Sequence, residues 1–232
     1  KRYDKIINDY DVKELLLNAI ESVVKIQNYE KPTVNEGFKE YNYSFFREEI
    51  IEFVDYYLPL LNATSDQKQE FLQIWKEEFE KLNFKWDSFV HKDFEFSNLM
   101  YLPHKENLMK CGILDFQNAF IGFSGWDIFS LLENPRINFD EKYNQGLIEY
   151  FYNQSVNKIS YKDFLTQYFF LNTARQTRII GRWINLDKKN NNNYYKSNFH
   201  EVTIKRLKNS LFNLKNKKLS NLYETILENE KF

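Results

Sequence analysis

An aspartate and an asparagine five positions apart, Asp93 and Asn98, follow a short apolar run, Phe89-Val90. Seventeen residues after Asn98, a second apolar run, Cys111-Gly112-Ile113-Leu114, ends in Asp115. Side chains of these types at this spacing suit the transfer of a phosphoryl group, which asks little covalent chemistry of a protein. It needs a hydroxyl aimed at the γ-phosphorus and positive charge over the phosphate oxygens. Magnesium is a hard cation that prefers oxygen ligands in near-octahedral geometry, and a carboxylate and an amide oxygen satisfy it. In that chemistry Asp93 holds the attacking hydroxyl and accepts its proton, while Asn98 and Asp115 hold magnesium beside ATP.

Such residues must be brought together by short elements. A strand ending at Val90 would let the following loop, His91-Lys92-Asp93-Phe94-Glu95-Phe96-Ser97-Asn98, present Asp93 inward. A hairpin of 99–102 with 110–114, turned by the polar 103–107, would return the chain and set Asp115 beside it. His91 is expected to prop the loop by hydrogen bonding rather than to do chemistry. Trp126-Asp127 opens a helical run with Ile128, Leu131 and Leu132 behind it. Two other readings compete. A loop Asp or Asn is ordinarily a turn or cap residue. A metal-dependent hydrolase could use His91, Asp93 and Asp115, although the chain has 3 His and no His-Glu-x-x-His helix.

The remaining chain reads as helices. Apolar residues recur at helical spacing over 11–28, 43–57, 65–82, 126–133, 141–154, 161–186, 199–214 and 221–228. Asp9 or Asp11 can cap the first of these and Ser44 the second. Residues 29–37 and 188–195, the latter with its run of Asn, are expected to be loops. Arg175, Gln176, Arg178 and Arg182 fall in the C-terminal half of the 161–186 helix. They either offset the helix dipole there or hydrogen-bond an acceptor molecule. Trp183 is a stacking platform or a core residue; Glu95, Arg47 and Glu49 are acceptor contacts or solvated charges.

Composition bounds the rest. A chain of 232 residues can bury one substantial core. The net charge of −1 argues against a nucleic-acid binder, which would carry a basic stripe. The single cysteine, Cys111, excludes an internal disulfide and reads as inert packing in a strand. No apolar run approaches the ~20 residues of a membrane helix. No signal peptide is visible, and the expectation is a cytoplasmic protein without a membrane partner.

Residues 91–99, 112–119 and 122–132 resemble the aminoglycoside phosphotransferase and choline kinase superfamily. Val90-His91-Lys92-Asp93, Ser97-Asn98-Leu99-Met100 and Ile113-Leu114-Asp115-Phe116-Gln117-Asn118-Ala119 are most similar to the anomeric N-acetylmuramate and N-acetylglucosamine kinases of cell-wall recycling. The likeness extends weakly to Tyr41, Phe46-Arg47-Glu48-Glu49 and residues 175–183. It implies an α+β, mostly α-helical fold: the large lobe of a protein-kinase-like molecule with a short catalytic hairpin. It implies Asp93 as base, Asn98 and Asp115 as magnesium ligands, Asp127 and His91 as supports of the catalytic loop, and ATP and Mg2+ as cofactors. Glu95, Arg175, Gln176, Arg178 and Trp183 become candidate contacts to a small-molecule acceptor, with aminoglycosides, choline or homoserine as the alternatives to an amino sugar. The expected parts are 1–88, helical; 89–123, catalytic; and 124–232, helical on the acceptor side. Two departures stand out. The subgroup usually has an acid where Asn118 stands. No glycine-rich phosphate loop or lysine-bearing strand precedes residue 30, so the chain is expected to be the large lobe of a longer protein, inactive alone, with a non-catalytic binding lobe as the other reading.

Overall fold

Helix α1, Val12–Tyr29, starts where Asp11 accepts the Lys13 N–H at 2.9 Å, and it buries Leu15, Leu16, Ala19, Ile20 and Val23. The computed structural model to which it belongs describes residues 1–29, 37–82, 86–105, 110–137, 141–156 and 159–228. The chain forms two compact units, Lys1–Tyr41 with Lys85–Phe164, and Asn42–Phe84 with Leu165–Phe232. Among the described residues, no helix is long and apolar enough to cross a membrane.

Among the described residues, all the strands lie in the first unit. β1 (Lys39–Glu40) and β2 (Ser88–Val90) flank β5 (Phe120–Gly122), the first parallel to it and the second antiparallel with Val90 opposite Phe120. β3 (Leu99–Tyr101) and β4 (Cys111–Ile113) form the expected hairpin, with Leu99 opposite Ile113. Helix α4, Trp126–Leu132, follows directly and is buried along its whole length; α5, Asn144–Gln154, closes the unit. Tyr41, Phe120 and Trp126 pack around one point, Tyr41 stacked on Phe120 at 5.4 Å and Trp126 edge-on to Phe120 at 5.2 Å. Such aromatic pairs are worth ~0.5–1.5 kcal/mol each beyond the area they bury. Cys111 is buried, and burial pushes its thiol up, consistent with a packing role.

The second unit is helical: α2 (Tyr43–Glu52), α3 (Ser65–Glu80), most of α6 (Tyr161–Asn190), α7 (Tyr194–Leu214) and α8 (Lys217–Glu228). Phe46, Trp75 and Phe170 form its centre, with ring centroids 5.3–5.8 Å apart. Several ends differ from the expectation. Asn42 rather than Ser44 caps α2, its Oδ1 accepting the Phe45 N–H at 3.1 Å, because the backbone is already extended at residue 42. The run 43–57 is α-helical only to Glu52 and continues as a π-helical turn, Phe53–Tyr57. Helix α6 does not stop at 186 but runs to Asn190, its last turn carrying Lys188 and Lys189 where the dipole favours cations. The expected loop 188–195 therefore shrinks to 191–193. The Asp187 carboxylate caps the next helix by accepting the Tyr195 and Lys196 N–H groups at 2.9 and 2.8 Å. That cap starts α7 at Tyr194 instead of 199, and Asn216, accepting the Leu219 N–H at 3.0 Å, starts α8 at Lys217 instead of 221.

The crossing of α6 over α2 depends on a missing side chain. A Cβ on Gly181 would stand 2.4 Å from the carbonyl carbon and oxygen of Glu52 and from the Phe53 nitrogen, where α2 gives way to the π turn. Backbone cannot yield there as a flexible side chain could. Gly181→Ala is expected to lower stability by about 1–3 kcal/mol, read as a lower urea midpoint with unchanged slope. An unchanged midpoint would show that the two backbones do not approach as closely as this.

Candidate active site

The loop between β2 and β3 is held from three sides. Its apolar residues, Phe94 and Phe96, are wholly buried, which leaves Asp93, Glu95 and Ser97 between them at the partly exposed positions. Below it, the buried Asp127 of α4 accepts the His91 N–H at 2.9 Å on one oxygen and the Lys92 N–H at 3.0 Å on the other. The Ser130 hydroxyl, one helical turn on, donates to the Lys92 carbonyl at 3.4 Å. From α1, the Gln27 side chain donates to the Phe89 carbonyl at 2.9 Å and the Ser124 carbonyl at 3.0 Å. Lys92 itself sits at φ 78, a left-handed conformation that a residue with a Cβ adopts only under such constraint.

The second strained residue is Asp115, at φ 70 and ψ 45. It heads a short turn, Phe116–Asn118, just after β4. Two bonds tie this turn to the Asp93 loop. The His91 Nε2–H donates to the Leu114 carbonyl at 2.9 Å, and the Leu114 N–H donates to the Asn98 carbonyl at 2.9 Å. The carbonyl partner makes His91 the Nε2–H tautomer, and burial lowers its pKa, against the Leu114 bond and the charges of Asp93 and Asp115, which raise it. Both carboxylates thus act on one imidazole ring. The Asn98 side chain donates to the Asp93 carbonyl at 2.8 Å, and the Asn118 side chain donates to the Asp93 carboxylate at 3.0 Å. Asp93, Asn98 and Asp115 are brought together at one place, with Asp115 exposed.

The hydrolase reading does not find its centre here. His91 directs Nε2 to a backbone carbonyl, and among the described residues no group of three or more His, Cys, Asp and Glu side chains is placed to hold a metal ion. Magnesium asks for a different set. The Asn98 amide nitrogen is engaged by Asp93, which leaves its oxygen, with the Asp115 carboxylate, as the kind of hard donor that ion takes.

Glu95 is a hub of the loop. Its Oε1 accepts from the Ser97 hydroxyl at 2.7 Å and from Arg136 at 3.3 Å, and its Oε2 accepts from the Asn134 side chain at 2.7 Å. Asn134 and Arg136 were not among the expected site residues; they lie just past the helical run 126–133. No local signal joins residues some 40 positions apart.

The other candidates lie in the second unit. Gln176 is wholly buried and donates to Asn172 at 3.0 Å, and Asn172 donates to Ser210 at 2.8 Å. Arg178 stands 3.8 Å from the buried Glu49, and Arg182 bonds Glu52 at 2.9 Å. Arg175 is buried, and Trp183 is buried with its ring edge-on to Phe199 at 4.8 Å. Since α6 runs to Asn190, these cations are mid-helix, and the dipole explanation for them falls away.

Residues 7–155 match the phosphotransferase enzyme family, a span that contains the whole site from Gln27 to Arg136. The chain belongs to the phosphotransferase enzyme family. It is also similar to the N-acetylmuramate/N-acetylglucosamine kinase of Caulobacter vibrioides, with 28% identity over 93 residues. That match takes in 40% of this chain and 25% of the relative, so the chain spans about a quarter of that protein's length. The expected resemblance to this superfamily and to these kinases is thereby borne out. In a phosphotransferase of this family, the loop brace is the part of the site most open to a stability measurement.

Burial lifts the Asp127 carboxyl from 3.8 to about 7, against the two backbone N–H donors and with the Asp93 charge pushing the same way as burial. An acid whose folded pKa lies above its unfolded one adds stability below the unfolded value, and loses it as pH rises through the folded value. Stability should therefore decline between pH 3.8 and 7 through this group, and Asp127→Asn should flatten that decline in urea unfolding. A wild-type-to-variant difference constant over the window would show that Asp127 titrates no differently when folded. Asp127→Ala, which strips both N–H groups of their acceptor, should cost about 2–4 kcal/mol.

Proposed function

We propose that this phosphotransferase is an ATP- and magnesium-dependent kinase of a small molecule, with the hydroxyl of an amino sugar as acceptor. The observation that carries the reading is the convergence of Asp93, Asn98 and the Asp115 turn through the His91–Leu114 and Leu114–Asn98 bonds. Asn98 and Asp115 would hold the metal through oxygen. Magnesium, when bound, supplies the positive charge that offsets the phosphate oxygens. Asp93 accepts the proton of the acceptor hydroxyl as that oxygen bonds to the γ-phosphorus, and the bond from phosphorus to the β–γ bridging oxygen breaks to release ADP. Asp127, Gln27 and Glu95 hold the backbone of the loop in place for this. N-acetylmuramate or N-acetylglucosamine, phosphorylated at the anomeric hydroxyl, is the acceptor favoured by the name of the Caulobacter relative and by the motifs around Asp93 and Asp115. The cytoplasm, where ATP is available, is the compartment that suits such an enzyme.

The test is ADP release by the full-length protein with ATP, magnesium and a panel of N-acetylmuramate, N-acetylglucosamine, an aminoglycoside, choline and homoserine. Turnover is expected with the amino sugars, and Asp93→Ala should reduce kcat by about 10²–10⁴-fold, the usual weight of a general base. Transfer retained in Asp93→Ala would remove the base assignment, and turnover confined to another acceptor would replace the substrate.

A further inference from the structure

We infer that Asn118 is a positioning residue for the catalytic carboxylate: its amide holds one oxygen of Asp93 so that the other faces the acceptor hydroxyl. The inference rests on the kinase reading above and adds to it a residue outside the Asp93, Asn98 and Asp115 set.

The contact is direct. Asn118 Nδ2 lies 3.0 Å from Asp93 Oδ2, across 25 residues of sequence. The amide orientation follows from the partner, since a carboxylate only accepts and would repel the Asn118 oxygen. Asn118 is exposed but not loosely held, because it closes the Phe116–Asn118 turn, in which the Ala119 N–H bonds the Phe116 carbonyl at 3.0 Å. The left-handed Asp115 that opens this turn and the Asn118 that ends it are therefore placed by the same piece of backbone.

The tie restrains a side chain that is otherwise free to turn. An aspartate's terminal torsion is broad and roughly two-fold, so a carboxylate held only at Cβ spreads its oxygens over many orientations. Asp93 is restrained at its main-chain carbonyl by Asn98 at 2.8 Å, which fixes the backbone but leaves that torsion free. The Asn118 donor removes the remaining freedom. With Oδ2 engaged, Oδ1 is the oxygen that takes the proton while the acceptor oxygen bonds to phosphorus and ADP departs. An ionised carboxylate at position 118, the residue type the similar kinases usually carry, has no hydrogen to donate and would set two negative groups in contact, so this tie belongs to this chain and not to that subgroup.

The test uses Asn118→Ala and Asn118→Asp in the full-length protein, with steady-state kinetics, urea unfolding and the side-chain amide resonance of ¹⁵N-labelled Asn118. Because the residue is exposed, both variants should unfold at the wild-type midpoint. Asn118→Ala should lower kcat about tenfold to a hundredfold, the scale of a misplaced reacting group, with KM for ATP within about twofold of wild type. Asn118→Asp should lose more than Asn118→Ala. In the wild type the Asn118 amide resonance should shift when Asp93 is changed to Ala. Wild-type kcat in either variant overturns the inference, as does a KM for ATP that rises in step with the fall in kcat. An amide resonance indifferent to Asp93→Ala shows the contact to be absent and overturns it whatever the activity. If that resonance shifts but the wild type phosphorylates no acceptor, it is the kinase reading that has failed; the positioning role falls with it while the contact stands.

Discussion

One buried carboxylate carries the loop between β2 and β3. Asp127 sits in the first turn of a short helix with no exposed residue, and it points both oxygens at consecutive backbone N–H groups, those of His91 and Lys92. Consecutive N–H groups point the same way only where the backbone departs from the extended form, and the positive φ of Lys92 is that departure. Burying an unpaired carboxylate is costly, and so is burying unpaired N–H groups. Each here is the other's remedy, so the strained conformation and the buried acid stand or fall together.

The brace is then linked to the Asp115 turn by very few bonds. His91 leaves the brace through its backbone and reaches the Leu114 carbonyl with its ring, and Leu114 returns a bond to Asn98. Asp115, held left-handed next in the chain, is the second left-handed residue of this circuit. Two strained residues at the two ends of one hydrogen-bonded circuit are the pattern expected where geometry matters more than stability. Gln27 from α1 and the Glu95 hub with Asn134 and Arg136 anchor the same circuit to neighbouring elements.

The second unit solves a different problem. Its core is aromatic, but along α6 it also buries a chain of amides and hydroxyls, Gln176 to Asn172 to Ser210, with Thr177 bonded to the Tyr223 hydroxyl. Buried polar groups of this kind are tolerated when each finds a partner, and they fix register in a way that interchangeable Phe and Leu contacts do not. Where α6 meets α2, Arg178 and Arg182 are set against Glu49 and Glu52. Gly181 between them lets the two helices meet.

What the amino-acid order determined by itself was local. Apolar periodicity located every long helix, and the two apolar runs bounded by turn formers located the hairpin, because both signals repeat within a few residues. The spacing of Asp93, Asn98 and Asp115 pointed to phosphoryl transfer, since a loop and the strand after it are near neighbours in the chain. Helix ends were read less well. The caps at Asn42, Asp187 and Asn216 compete with equally good polar residues nearby, and only the folded backbone selects among them. Tertiary structure alone decided that Asn118 reaches Asp93, that Glu95 is claimed by Asn134 and Arg136, and that Trp183 lies in a core. These contacts join residues that sequence separates widely, and polar side chains carry no periodic signal of the partner they will meet.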